Sequence, residues 1–123
     1  MKITIPIPPM GKPRMTQRDK WAKRKCVTKY HSFRDEFRFC LGHYTIDNPS
    51  HISWTAYFPI PNSWSAGRRR QMLGEPHRQK PDRDNVDKAI LDALLSDDSI
   101  VSDGTLRKRW DDGKGARIEL EIL

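Results

Sequence analysis

The chain has little cysteine, few apolar residues and no long hydrophobic run. Its two cysteines, Cys26 and Cys40, form neither a CxxC motif nor a disulfide framework. The longest apolar stretch, around Ile90–Leu95, is far shorter than the roughly 20 residues of a membrane span. The first residues show no long apolar segment with a small-residue cleavage site. We therefore expect a soluble cytoplasmic protein with two free thiols and no membrane partner.

The supply of core residues is small. The chain has 123 residues, of which 36% are hydrophobic, and its mean hydropathy is -0.81. This length allows one domain, residues 1–123, with no room for a second core. A partner's surface can extend a marginal core, so such a chain gains stability from dimerisation. We therefore expect a single domain that forms a homodimer.

Acidic residues are scarce in the first two thirds of the chain and dense afterwards. Residues 1–80 contain 16 basic residues (Lys and Arg) and 5 acidic residues (Asp and Glu). Residues 81–123 contain 7 basic and 11 acidic residues. The net charge of +7 favours a polyanionic partner. The aspartates concentrate between Asp82 and Asp103, and two interpretations of them stay open. They form either a solvated face with helix-capping residues or a metal site within a basic, phosphate-holding surface.

Hydrophobic periodicity predicts six elements in the order β-α-β-α-β-β. They are strands at 2–7, 51–58, 100–110 and 116–123, and helices at 32–42 and from Asp84 or Asn85 to Leu94. Residues 8–14 are a proline-rich loop, and residues 63–81 show no periodicity and are expected to be a mobile basic segment. The aromatic stripe of Tyr30, Phe33 and Phe37 is expected in the core. The predicted fold class is α+β, a small mixed β-sheet with two helices on one face.

Two carboxylates stand directly before the second predicted helix. Asp82 and Asp84 are two residues apart, a spacing at which both can reach one Mg²⁺, which takes one or two protein carboxylates and substrate phosphate oxygens. Lys88 follows Asp84 by four residues on the same helical stripe, where a lysine can stabilise the charge of a phosphoryl-transfer transition state. Asp98 can join them only if the next strand returns beside Asp82. The alternative is that these residues are ordinary helix caps, an i,i+4 pair of Lys88 with Asp92, and turn residues.

A longer motif contains these residues. The stretch KPDRDNVDKAILDAL from Lys80 to Leu94, followed by the pair Asp97-Asp98, resembles the RusA family of Holliday junction resolvases. The hallmark of that family is KPDxDNxxKxxxDAL, followed by an aspartate pair that opens a strand. In this chain only Leu95 and Ser96 separate the helix from the pair, a shorter gap than the family usually has.

The resemblance implies a Mg²⁺-dependent, homodimeric endonuclease that nicks branched DNA, such as a four-way junction, in recombination and repair, without a small-molecule cofactor. Such enzymes are typically of phage or prophage origin. Carried over by motif, Asp82, Asp84 and Asp98 would be the metal-binding carboxylates and Lys88 the catalytic lysine, while Asp92 would support the helix. DNA contacts are expected from Lys12, Arg14, Arg68, Arg69, Arg70, Lys80, Asn85 and Lys108.

Two other functions remain open from the sequence. One is a related nuclease that acts on flaps or replication forks. The other is a basic nucleic-acid-binding module without catalysis, in which the aspartates are structural. Mg²⁺ distinguishes the second alternative, because a passive binder should bind DNA equally well without the metal.

Overall fold

The computed structural model describes residues 1–14 and 25–123. Within these ranges the chain forms four strands and three α-helices, with a short 3-10 turn at Asp98–Ile100. In chain order they are β1 Lys2–Ile5, α1 Lys25–Leu41, β2 Ile52–Phe58, α2 Ala66–Met72, α3 Arg83–Leu94, β3 Leu106–Trp110 and β4 Arg117–Ile122. Of the helices in these ranges, none is long and apolar enough to span a bilayer.

The four strands form one mixed sheet in the order β1-β4-β2-β3. Strands β2 and β3 run parallel, and the other neighbouring pairs are antiparallel. Trp54 lies at the centre, in register with Leu106 of β3 and Leu120 of β4. The predicted α+β class and mixed sheet are therefore confirmed.

One face of the sheet carries the core. Alternate residues of β2, from Ile52 to Phe58, are buried, because successive side chains of a strand point to opposite faces. Helices α1 and α3 cover this face, since their buried side chains belong to the same hydrophobic cluster as those of the strands. The cluster includes the aromatic stripe Tyr30, Phe33 and Phe37 of α1, as predicted.

Helix α1 is longer than its periodicity predicts. It includes Lys25 to His31, which lie before the predicted start at Ser32, so the prediction missed about two turns of the described helix. Those turns bury Val27 and Tyr30 among basic and polar residues, which weakens the apolar pattern. The helix ends at Leu41, before Gly42, as expected. Cys26 and Cys40 both lie on α1 and are unpaired, as predicted.

Helix α2 lies in the segment that was expected to be mobile and irregular, and that expectation was wrong. Ser65 is its N-cap residue, and the Ser65 hydroxyl accepts a hydrogen bond from the Arg68 amide at 3.2 Å. None of its seven residues is buried, so the sequence carries no apolar stripe. The described chain therefore has three helices and the order β-α-β-α-α-β-β, not two helices and β-α-β-α-β-β.

Strand β3 begins later than predicted, at Leu106 rather than Ile100. The residues before it approach β2 very closely, because a Cβ atom on Gly104 would lie 1.8 Å from the Ile52 carbonyl oxygen. The Ile52 amide also donates to the Asp103 carbonyl oxygen at 3.0 Å. Backbone contact with β2 therefore starts at residues 103–105, before the regular strand does.

Candidate active site

The N-terminal end of α3 is fixed from two sides. On one side the Lys12 amide donates to the Asn85 carbonyl at 3.0 Å, and a Cβ atom on Gly11 would lie 2.6 Å from the Pro81 Cβ. On the other side the Lys108 ammonium of β3 donates to the carbonyls of Gln79 and Pro81. The proline-rich loop and β3 therefore hold the first turn of α3, where the motif begins.

Asp82 is the N-cap residue of α3, yet its side chain makes no capping hydrogen bond. The carboxylate instead accepts from the Lys80 ammonium at 3.0 Å. The Lys80 side chain is 85% exposed and that of Asp82 53% exposed, so water screens this ion pair and it contributes little to stability. The Asp82 carboxylate is therefore available to a ligand at the surface.

Asp84 and Lys88 stand one turn apart on α3 and are both exposed. The described part of the chain provides neither of them with a hydrogen bond or an ion pair. Asp87, between them in sequence, is different, because its carboxylate accepts from the indole Nε1 of Trp54 at 2.8 Å. Asp87 therefore joins α3 to the sheet, whereas Asp84 and Lys88 make no such bond within the described residues.

Asp92 joins α3 to α1. Its carboxylate accepts a short hydrogen bond from the Tyr30 hydroxyl and lies 3.9 Å from both the Arg34 and the Lys12 cationic groups. Burial raises the pKa of Tyr30, and the bond to Asp92 raises it further. The partners of Asp92 thus come from α1 and the proline-rich loop, not from Lys88 in the i,i+4 pair of the alternative interpretation.

The pair Asp97-Asp98 forms a turn, as expected, but it does not open a strand. The Asp97 carboxylate accepts from the Ser99 hydroxyl at 2.6 Å and from the Ser99 amide at 3.0 Å. These bonds lower the pKa of Asp97, the hydroxyl having the larger effect. Asp98 is exposed in the 3-10 turn, beyond the C-terminal end of α3. Asp82 therefore precedes α3 and Asp98 follows it. The helix between them is about 18 Å long at 1.5 Å per residue.

The predicted three-carboxylate metal site is not assembled. Across residues 1–14 and 25–123, no three His, Cys, Asp or Glu side chains group as ligands for a metal ion. Asp82 and Asp84 share the first turn of α3, while Asp98 follows the other end. The structure therefore brings two of the three predicted ligands to one turn, and the role of Asp98 stays a prediction.

The predicted DNA contacts occupy different environments. Arg68, Arg69 and Arg70 are exposed on α2, and the Arg68 guanidinium stacks over the Trp64 ring at 3.8 Å. Arg14, in the proline-rich loop, is also exposed. Lys108 is partly buried with its ammonium held by two carbonyls, and this burial lowers its pKa. Lys108 therefore supports the turn before α3, and its role as a DNA contact stays a prediction.

The sequence analysis did not single out His77, a buried histidine that lies close to Lys108. It is 7% exposed, stacks on Phe58 with ring centroids 4.0 Å apart, and lies 4.4 Å from the Trp110 ring centroid. Burial lowers its pKa to about 4, helped by the nearby charge of Lys108. No pattern around His77 marks it, because it follows Glu75-Pro76 in a segment without periodicity.

A family model described as Endodeoxyribonuclease RusA matches residues 6–122, almost the whole chain. Neither the curated proteins nor the solved structures contain a significant match. This single match therefore covers the proline-rich loop, the three described helices and strands β2 to β4.

Proposed function

The chain belongs to the RusA family of endodeoxyribonucleases, enzymes that resolve Holliday junctions, and from this premise we propose how it does so. The proposed enzyme is a Mg²⁺-dependent homodimer that nicks a four-way junction symmetrically, leaving 5′-phosphate and 3′-hydroxyl ends. The non-catalytic binding module is set aside, because the family is one of nucleases. The flap or fork nuclease differs only in substrate shape and stays as the competing specificity.

The observation that supports the proposal most strongly is the unused state of Asp82 and Asp84. An N-cap aspartate ordinarily accepts a backbone hydrogen bond at its helix, and losing such a bond costs about 1 kcal/mol. Asp82 makes no such bond, and Asp84 contacts no polar side chain of the described chain. Two neighbouring carboxylates whose structural contribution is limited to negative charge at a helix N-terminus and one exposed ion pair are what a reaction site would require.

The two carboxylates suit a magnesium ion. Mg²⁺ is usually held by one or two carboxylates, and it fills its remaining positions with water and substrate phosphate oxygens. Asp82 and Asp84 would supply the carboxylates. The family motif proposes Asp98 as a third, but in this structure it follows the other end of α3 and does not group with them. The ion, when bound, supplies an activated water and polarises the scissile phosphate.

The two exposed lysines have distinct roles in this proposal. Lys88, one turn beyond Asp84, places an ammonium where it offsets the negative charge that develops on the phosphate. Lys80 neutralises Asp82 in the free protein through their 3.0 Å ion pair. When DNA binds, the Lys80 ammonium is free to move to a backbone phosphate, since an exposed pair of this kind is weak.

The DNA backbone would be held by two sets of basic residues. Arg68, Arg69 and Arg70 of α2 provide one exposed set. The exposed Arg14 and the half-buried Lys12 of the proline-rich loop would provide the other. Such contacts recognise charge and shape and carry little sequence information. A homodimer would present two equivalent sites to the two equivalent strands of a junction.

The test is the conservative variant Asp82→Asn, with Asp35→Asn as its matched control because Asp35 is an exposed carboxylate of α1. We expect Asp82→Asn to abolish junction cleavage while binding is retained or tightened, because a negative charge near the phosphate is removed. Asp35→Asn should cleave like the wild type. Cleavage at the wild-type rate by Asp82→Asn would refute the metal assignment, and a matching loss in both variants would show a nonspecific charge effect.

A further inference from the structure

A cleft of about 350 Å³ is lined both by α2 and by the segment 75–79, which follows that helix. Two of its lining residues are arginines, Arg68 on α2 and Arg78 in the segment, and both are exposed. Glu75 is the one acidic residue among the lining residues, so the lining carries a net positive charge. The cleft is therefore open to solvent and suited to an anion.

Aromatic contacts restrain the arginine on the α2 side. The Arg68 guanidinium stacks over the Trp64 ring, 3.8 Å from its centroid. The Trp64 ring in turn meets the Trp110 ring at 64°, with their centroids 4.9 Å apart, and Trp110 belongs to the hydrophobic core. A guanidinium that is already restrained loses less conformational freedom when it binds an anion.

Backbone contacts with β3 restrain the arginine on the other side. The His77 amide donates to the Lys108 carbonyl at 3.1 Å, and the Lys108 ammonium donates to the Gln79 carbonyl at 2.7 Å. These two contacts fix the residues directly before and after Arg78. The His77 side chain is buried, whereas the Arg78 side chain is exposed, so Arg78 reaches solvent from a fixed backbone.

No carboxylate of the described chain forms an ion pair with either guanidinium. Arg117 is a contrasting case, because it pairs with both Asp112 and Glu119. Two unpaired guanidinium groups that line one cleft leave positive charge to be neutralised from outside. Arginine is the side chain best suited to bind a phosphate through two parallel hydrogen bonds.

We propose that this cleft holds one backbone phosphate of the DNA strand that is cut, with Arg68 and Arg78 as its two cationic contacts. Gln79 also lines the cleft and precedes Asp82 by three residues, a separation of at most about 11 Å. A DNA strand advances about 3.4 Å per nucleotide, so this phosphate lies on the order of three nucleotides from the one at Asp82. The inference rests on the proposed junction nuclease and adds a phosphate subsite to it.

The experiment removes the charge of one phosphate at a time. Four-way junctions that carry a single uncharged methylphosphonate at successive positions around the cut are titrated in a chelator, so that the DNA stays intact. The wild type is compared with Arg68→Gln, Arg78→Gln and the double variant. Arg70→Gln is the matched control, since Arg70 lies on the same helix but lines a different cleft.

We expect methylphosphonate at one position to weaken binding of the wild type by about tenfold or more, as loss of a charged hydrogen-bond partner does. The same substitution should matter less in each single variant and not at all in the double variant, because the contacts to that phosphate are already lost. Arg70→Gln should keep the full wild-type response.

Equal affinity of the wild type for every methylphosphonate junction would overturn the inference. A full wild-type response in Arg68→Gln, in Arg78→Gln or in the double variant would also overturn it, by placing the phosphate elsewhere. An equal loss of response in Arg70→Gln would overturn it too, by showing that only total charge matters. Absence of any junction binding by the wild type would overturn the proposed function as well, so the two failures are distinguishable.

Discussion

The aspartates of α3 look alike in the sequence, and their contacts separate them into two pairs. Asp87 accepts from the Trp54 indole, and Asp92 accepts from the Tyr30 hydroxyl, so both hold the helix in place. Asp82 and Asp84 lie at the exposed first turn with no structural hydrogen bond to the sheet or to α1. The fold thus uses two of these carboxylates as hydrogen-bond acceptors, and the proposed metal site uses the other two.

His77 leads to a prediction about stability and pH. The pKa of His77 is lowered from 6.5 to about 4 in the folded protein, mainly by burial. Between these values the unfolded chain binds a proton that the folded chain does not, so stability falls as the pH falls. We expect wild-type unfolding free energy to decrease by roughly 2–3 kcal/mol from about pH 7.5 to 4.5 through this group. Urea unfolding at the two pH values measures it.

The variant His77→Phe provides the comparison, because a phenyl ring retains the stacking on Phe58. Its stability should depend less on pH in this range, whereas His43→Phe, at an exposed histidine, should retain the wild-type dependence. Asp112 does not interfere, because the hydrogen bond from Arg117 lowers its pKa to about 2 and its contribution is lost only below this range. An unchanged pH dependence in His77→Phe would contradict the assignment.

The regular elements differ in how well the sequence predicts them. Strands β1, β2 and β4 and helix α3 follow clear periodicity and form close to their predicted positions. Helix α2 was missed because a seven-residue helix without buried residues leaves no pattern. The start of β3 was misplaced because it depends on a backbone approach at Gly104 that involves Ile52, a residue far away in sequence. A local cap at Ser65 starts α2, and a tertiary contact sets the start of β3; neither leaves an apolar pattern in the sequence.

Gly104 gives a prediction at the level of the sheet. A Cβ atom there would overlap the Ile52 carbonyl oxygen at 1.8 Å, which is backbone and cannot move aside cheaply. We expect Gly104→Ala to lower the free energy of unfolding by about 1–3 kcal/mol, the usual range for overpacking. Thermal unfolding measures the change.

The control is Gly67→Ala on α2, where a Cβ atom would meet nothing within 4 Å. Alanine should stabilise this exposed helical position by up to about 1 kcal/mol relative to glycine. If Gly104→Ala matched the wild type in stability, the close contact between the start of β3 and β2 would be incorrect.

The candidate site was only partly predictable from the sequence. The motif from Lys80 to Leu94 points to Asp82, Asp84 and Lys88, and the structure leaves all three exposed near the N-terminal end of α3. The role of Lys108 was not predictable, because its bonds to Gln79 and Pro81 depend on how β3 packs beside the turn. Residues whose role depends on distant backbone atoms cannot be assigned from spacing alone.

The charge of the whole molecule is uneven, and this has consequences for DNA binding. The net charge of +7 attracts DNA, while α2 concentrates three exposed arginines in seven residues. If Arg69 neutralises one phosphate, Arg69→Ala should weaken junction binding and reduce the slope of log affinity against log salt by about 0.9. A salt titration of affinity measures the slope.

Lys2→Ala is the matched control, since Lys2 is an exposed lysine on β1, at the sheet edge opposite β3. It should leave the slope close to the wild-type value. An unchanged slope in Arg69→Ala would mean that Arg69 does not contact a phosphate, and equal changes in both variants would mean that only total charge matters.

The most direct test of the proposed mechanism is cleavage of a synthetic four-way junction, a flap and a linear duplex, each with Mg²⁺ and with a chelator. We predict paired, symmetric nicks in the junction that require Mg²⁺, with no cutting of the linear duplex. Cleavage that persists in the chelator would contradict the metal site at Asp82 and Asp84, and preferential cutting of the flap would contradict the junction specificity.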